Sequence, residues 1–173
     1  MALIKPSWMP KCKMDRIILH WTAGAHTASS IDKQHYHILV EGDGTLVRGD
    51  HTIEDNVNTA DDNYAAHTLG TNTRSIGVSA CSMAGAQESP FKPGPFPLKK
   101  TQWLTMVAVT AELATFYGIP VTPKTILGHG EVQKNLGKPQ KGKWDPMVLP
   151  WDTSLTKAQV GNLFRAEVAK LMT

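Results

Sequence analysis

The chain has 173 residues, of which 41% are hydrophobic, and carries a formal net charge of +3 at pH 7. A chain of this length and apolar content can bury a core without disulfides or structural metals, so we predict a single domain over residues 1–173. The small positive charge gives no reason to expect a nucleic-acid surface, and no apolar run is long enough to span a membrane.

Five short apolar or β-branched runs, each closed by turn residues, predict the strands of one sheet. They are residues 14–20, 36–40, 46–48, 76–80 and 125–127. The tip Gly42-Asp43-Gly44 joins the second and third of these strands as a hairpin, because its residues tolerate positive φ angles. Residues 83–97 contain four prolines and two glycines, and they predict a surface loop or lid.

Two helices are predicted in the second half of the chain. The first begins near Thr101, has apolar residues at i, i+3, i+4 and i+7, and ends before Gly118. The second begins where Thr156 and Gln159 can form a capping box, and a row of apolar residues follows. Together these elements predict an α/β fold with a single mixed β-sheet flanked by α-helices.

Two of the predicted strands are followed or ended by histidines. His20 ends the first strand, and His129 follows the last strand and lies sixteen residues before Asp145. A catalytic zinc ion takes three protein ligands and keeps a fourth position open, so this set predicts a metal site. Lys143, two residues before Asp145, could stabilise negative charge on an oxygen near the metal. The spacing alone also fits three unrelated surface side chains.

Four segments in the same order resemble the zinc-dependent N-acetylmuramoyl-L-alanine amidase family, which includes the T7-type lysozymes, the AmpD-type amidases and the peptidoglycan recognition proteins. They are Ile-Ile-Leu-His-Trp-Thr-Ala at 17–23, Tyr-His-Ile-Leu-Val with Gly-Asp-Gly-Thr and an arginine at 36–48, Ala-His with Asn and Ser-Ile-Gly-Val at 66–78, and Gly-His with Lys-Trp-Asp-Pro and a tryptophan at 128–151. Each segment is common alone, but the four together are specific.

The resemblance implies one zinc ion bound by His20, His129 and Asp145. It implies hydrolysis of the amide bond between N-acetylmuramic acid and the L-alanine of peptidoglycan. Lys143 matches the family's lysine that faces the oxyanion. The AmpD-type glutamate is replaced by Ser79, so Tyr36 is predicted to orient the attacking water, as in the T7-type branch.

Other residues are assigned with alternatives. His67 matches a family position beside the metal and is predicted to bind substrate, the alternative being a hydrogen-bonded loop histidine. Trp144, together with Trp151, could form a wall for a sugar ring, although packing in the interior is the more common role of tryptophan. The interval from His129 to Asp145 is longer than is usual in the family, and residues 135–142 are the extra stretch, which makes Asp145 the least secure ligand. No role is predicted for the remaining histidines, His26, His35, His37 and His51.

The predicted protein is a monomeric peptidoglycan hydrolase, a phage or prophage endolysin. The N-terminus lacks the layout of a secretory signal, so we expect synthesis in the cytoplasm and action on the bacterial cell wall after release through a holin or transport in a virion. Cys12 and Cys81 are expected to be free thiols. The alternatives are a non-catalytic peptidoglycan-binding module of the same fold, a recycling amidase, a secreted toxin, or a regulatory protein that contacts another enzyme.

Overall fold

The computed structural model describes residues 2–172, and its centre is one five-stranded sheet. The strands are β1 (Arg16–Trp21), β2 (Ile38–Val40), β3 (Leu46–Arg48), β4 (Ser75–Ala80) and β5 (Ile126–Gly128). Their order across the sheet is β3-β2-β4-β1-β5, with β3 antiparallel to β2 and all other neighbours parallel. The predicted mixed sheet with flanking helices is confirmed.

Within the described part of the chain, four α-helices flank the sheet. They are α1 (Ser30–His35), α2 (Lys100–Tyr117), α3 (His129–Leu136) and α4 (Lys157–Leu171). Both predicted helices are present. The first of them, α2, ends at Gly118, which has a φ of 66°, and α4 begins with the expected capping box between Thr156 and Gln159. Within residues 2–172, no helix combines the length and the apolar character needed to cross a membrane.

The structure differs from the sequence prediction near two site residues. Tyr36 is not the first residue of a strand, because it follows α1 directly, and β2 begins only at Ile38. His129 is the first residue of α3. The carboxylate of Glu131 accepts a hydrogen bond from the backbone N–H of Gly128 at 3.0 Å and so fixes the start of this helix. Residues 83–97 form neither helix nor strand, as predicted.

The two faces of the sheet are covered unequally. Ile17 and Leu19 on β1 point into the main core, whose other members include α2 and α4 residues. Ile18 points to the opposite face, where it forms a smaller cluster with Leu127 and Val132. Because side chains alternate along a strand, His20 shares the face of Ile18. This face is only partly covered by α3, and the remaining space at the carboxyl ends of β1 and β4 is open for a site.

Candidate metal centre and cleft

Three predicted ligands meet at the carboxyl end of the central strands. β1 pairs with β5 so that Leu19 lies opposite Gly128, which places His20 beside His129, with ring centroids 4.7 Å apart. Asp145 lies in the loop that follows α3. Its backbone oxygen accepts a hydrogen bond from the N–H of Gly130 at 2.8 Å, which ties this loop to the start of α3.

The side chains of His20, His129 and Asp145 converge on one small volume. Each offers one candidate ligand atom, and these atoms lie within 4.8 Å of one another. Oδ2 of Asp145 is 3.1 Å from Nδ1 of His20 and 3.4 Å from Nδ1 of His129. All three residues are buried, and His20 is fully so. The long interval before Asp145 has therefore not moved it away from the two histidines.

Hydrogen bonds behind His20 decide which of its ring nitrogens carries the proton. Nε2 of His67 is 3.2 Å from the carbonyl oxygen of Ser75, and a carbonyl only accepts, so this nitrogen is protonated and Nδ1 of His67 has a free lone pair. Nε2 of His20 lies 3.2 Å from that Nδ1 and donates to it. The Nδ1 of His20 is then unprotonated and faces the carboxylate of Asp145.

A lone pair and a carboxylate oxygen at 3.1 Å repel each other unless a positive charge lies between them. Burial lowers the pKa of His20 to about 4, so protonation of the ring does not supply that charge at neutral pH. Burial raises the pKa of the Asp145 carboxyl, but the neighbouring imidazoles of His129 and His20 outweigh that effect and hold the pKa well below its usual range, so the carboxylate is ionised. His20 and Asp145 are therefore in the forms that bind a metal ion, and the set of two nitrogens and one oxygen that they complete with His129 fits a divalent cation.

An open cleft of about 650 Å³ leads to this centre. His129 and Asp145 lie at its floor, and Lys143 is exposed at its rim. The ring of Tyr36 is 5.1 Å from the ring of His20, measured between centroids, and burial raises the pKa of its hydroxyl above the usual range. The tyrosine therefore keeps its proton at any pH near neutrality.

The comparisons with known proteins identify the family. A family model described as N-acetylmuramoyl-L-alanine amidase (Amidase_2) matches residues 10–147. The chain belongs to this family. The matched region of the amidase contains all three candidate ligands, His20, His129 and Asp145. A comparison with curated proteins found no significant match.

Solved structures share the fold of this amidase at low sequence identity. The hydrolase AmiA of Staphylococcus aureus is 14% identical, with a TM-score of 0.58 over 92% of this chain and 75% of that chain. The endolysin LysCS of Clostridium intestinale is 17% identical, with a TM-score of 0.52 over 91% and 84%. The Ph2119 endolysin of a Thermus scotoductus bacteriophage is also 17% identical, with a TM-score of 0.52 over 92% and 87%.

All of the other predicted site residues of the amidase line the cleft. They are Tyr36, His67, Lys143 and Trp144. Trp144 is half-buried and packs edge-on against Trp21, with ring centroids 4.7 Å apart, so only part of its ring faces the cleft. Trp151 packs against Trp103 instead and is not among the residues that line the cleft.

His67 is bonded through both ring nitrogens to other parts of the protein. Nδ1 is next to His20 and also 2.8 Å from Oγ1 of Thr68, while Nε2 bonds Ser75. Gly77 lies against the ring, because a Cβ there would approach it to 2.7 Å. The predicted contact of His67 with substrate stays a prediction. Its observed contacts orient His20.

Sequence reasoning missed one residue that bonds His129 and one ion pair that fixes the start of its helix. Gln140 is 2.8 Å from Nε2 of His129, and Glu131 forms a buried ion pair with Arg165 just behind the start of α3. Neither could be recognised from the sequence, since Gln140 lies in the extra stretch 135–142 and the pair joins residues 34 positions apart.

Proposed function

We propose that this amidase is a zinc-dependent enzyme that hydrolyses the bond between the lactyl group of N-acetylmuramic acid and the L-alanine of the peptidoglycan stem peptide. The main support for the proposal is that the side chains of His20, His129 and Asp145 converge at the floor of an open cleft. Membership of the amidase family supports the reaction class.

The donor set suits zinc in particular. Two imidazoles and one carboxylate are a usual protein contribution to a catalytic zinc site, whereas structural zinc sites have four protein ligands and are closed. Here the site opens to the cleft through His129 and Asp145. When bound, zinc polarises the amide carbonyl and lowers the pKa of water to near neutrality.

Two side chains are proposed to act on the substrate. Lys143 lies two residues from Asp145 on the rim of the cleft, where its ammonium can stabilise the negative charge that develops on the carbonyl oxygen. Tyr36 is beside His20 and keeps its hydroxyl proton, so it can donate a hydrogen bond or orient a water by accepting one. Ser79, in register with His20 on β4, has no carboxylate that could take this role.

The charge of the cleft supports a peptide substrate with acidic groups. Lys141 and Lys143 line it, and among the described lining residues Asp145 is the single carboxylate. That carboxylate is a proposed metal ligand, whereas a glycosidase needs a pair of carboxylates on either side of the sugar bond. Cleavage of an amide is therefore favoured over cleavage of the sugar chain. Trp144 is proposed to contact the muramyl sugar with the exposed part of its ring.

For the biological setting we propose a phage or prophage endolysin, made in the cytoplasm as a monomer and acting on the cell wall. Two structures with the same fold, LysCS and the Ph2119 protein, are endolysins, which supports this setting. The second candidate is a peptidoglycan-binding module without activity. The presence of all three ligand side chains disfavours it, because such a module has no need of a complete metal site.

The decisive experiment is digestion of purified peptidoglycan by the purified protein. We expect new free amino groups on L-alanine and no new reducing sugar ends, with activity lost on chelation and restored by zinc. His20→Ala should lose both metal and activity, whereas His51→Ala, a matched histidine variant outside the cleft, should keep both. Reducing ends, or amines released from the peptide cross-links, would contradict the proposed bond. Binding to the wall without any cleavage would favour the module.

A further inference from the structure

We infer that Gln140 is a positioning residue that fixes the tautomer of His129 and presents its Nδ1 lone pair to the metal. The inference deepens the proposed function and rests on its metal site. Gln140 lies in residues 135–142, the stretch that lengthens the interval between His129 and Asp145. Its side chain is buried, with 3% of the residue exposed.

The hydrogen bonds of Gln140 fix the orientation of its amide group. Nε2 donates to the carbonyl oxygen of Leu69 at 2.9 Å and lies 3.3 Å from that of Lys138. A nitrogen with two carbonyl partners must be the NH₂ group, because carbonyl oxygens only accept. Oε1 is therefore the atom that lies 2.8 Å from Nε2 of His129.

This orientation determines the state of His129. Oε1 of an amide only accepts, so Nε2 of His129 must carry the proton. In a neutral imidazole the other nitrogen is then unprotonated, and Nδ1 directs its lone pair towards Oδ2 of Asp145, 3.4 Å away. A proton on Nδ1 would leave Nε2 and Oε1 as two acceptors in contact. Gln140 thus fixes the tautomer of His129 by accepting a hydrogen bond from its Nε2, as His67 does for His20.

Gln140 also ties together the parts of the protein that surround the centre. Its backbone N–H donates to Oε1 of Gln133 on α3, and its side chain donates to the backbone of Leu69, another residue that lines the cleft. Its backbone oxygen accepts from the N–H of Lys143 at 3.3 Å. Gln140 therefore connects His129, the loop that carries the proposed oxyanion residue Lys143, and the segment around Leu69.

The first test reads the tautomer directly in the metal-free full chain. Long-range ¹H–¹⁵N NMR of the imidazoles should show His129 protonated at Nε2 in the wild type. Gln140→Met has a similar volume but no acceptor, and it should give a mixture of the two tautomers. A wild-type His129 protonated at Nδ1 would overturn the inference. This readout does not depend on amidase activity, so it is separate from the test of the proposed function.

The second test measures zinc affinity by competition with a chromophoric chelator. Gln140→Met should weaken zinc binding about 10–100-fold, the usual effect of losing a partner of a ligand histidine. Gln140→Glu keeps an acceptor for Nε2–H and should retain most of the affinity. Gln133→Met removes an amide that bonds the same loop but not His129, and it should bind zinc like the wild type. Equal losses in the Met and Glu variants would show a packing role only and overturn the inference.

Discussion

Replacing Gly161 on α4 by alanine should destabilise the protein, although the same change usually stabilises a helix. Glycine in the interior of a helix costs about 0.5–1 kcal/mol relative to alanine, so Gly161→Ala should stabilise the protein if nothing opposed the new methyl group. However, a Cβ at this position would lie 2.2 Å from Oε1 of Glu131 and 2.6 Å from its Oε2. Raising the shorter distance to 3.0 Å needs a movement of at least 0.8 Å.

The carboxylate of Glu131 has little freedom to move. Both of its oxygens accept hydrogen bonds of 3.0 Å from Arg165, and Oε2 also accepts the N–H of Gly128 at 3.0 Å. Hydrogen bonds to charged groups contribute about 1.5–3 kcal/mol each, and a buried pair that loses one partner costs about 3–5 kcal/mol. With the helix gain subtracted, we expect Gly161→Ala to destabilise the fold by about 2 kcal/mol.

The free energy of unfolding should be measured by urea denaturation of metal-free protein, because bound metal adds stability by mass action. A loss of ~2 kcal/mol corresponds to a decrease in Tm of about 4–8 °C for a chain of this size. The exposed control Ala166→Gly should lose only about 0.5–1 kcal/mol. In a Glu131→Ala background, Gly161→Ala should become stabilising. An increase in stability for Gly161→Ala alone would refute the reasoning.

Three further outcomes are expected. Lys143→Ala should retain zinc but lower kcat about 100–1000-fold, as loss of an oxyanion donor does, and a change confined to KM in steady-state assays would make Lys143 a substrate contact instead. Tyr36→Phe should also lower kcat with zinc retained, and unchanged kinetics would remove Tyr36 from the mechanism. Burial lowers the pKa of His37 to about 4 in the folded protein, whereas in the unfolded chain its pKa is near 6.5. Between these pH values the unfolded state therefore binds a proton that the folded state does not bind. The free energy of unfolding of the metal-free protein should therefore decrease as the pH falls from about 6.5 to about 4, and His37 should contribute up to about 3 kcal/mol of that decrease. In His37→Phe, the free energy of unfolding measured over this range should depend less steeply on pH than in the wild type.

The sequence alone was sufficient for the sheet, for α2 and α4, and for the three candidate ligands. These features depend on local chemistry. Short apolar or β-branched runs closed by turn residues predict strands, a capping box at Thr156 and Gln159 starts α4, and Gly118 can adopt the left-handed conformation that ends α2. The ligands were recognised because His20, His129 and Asp145 stand in short motifs whose order along the chain resembles a family.

The two short helices near the site, α1 and α3, were not predicted from the sequence. α1 and α3 have six and eight residues, and isolated helices of that length are unstable in water. α3 begins at His129 because Glu131 bonds the N–H of Gly128 while Arg165, far along the chain, holds the same carboxylate. No local pattern reports a contact of that range.

The protonation states of the two histidines proposed as metal ligands depend on the tertiary structure. The sequence supplies His20 and His129 but not the nitrogen that each offers, since a neutral imidazole can carry its proton on either one. His67 and Gln140 make that choice through hydrogen bonds to backbone carbonyls of Ser75, Leu69 and Lys138. Those carbonyls belong to the start of β4 and to two loops, which come together only when the chain has folded. Because a backbone carbonyl is the same in every residue type, the sequence does not show which ones will accept these bonds.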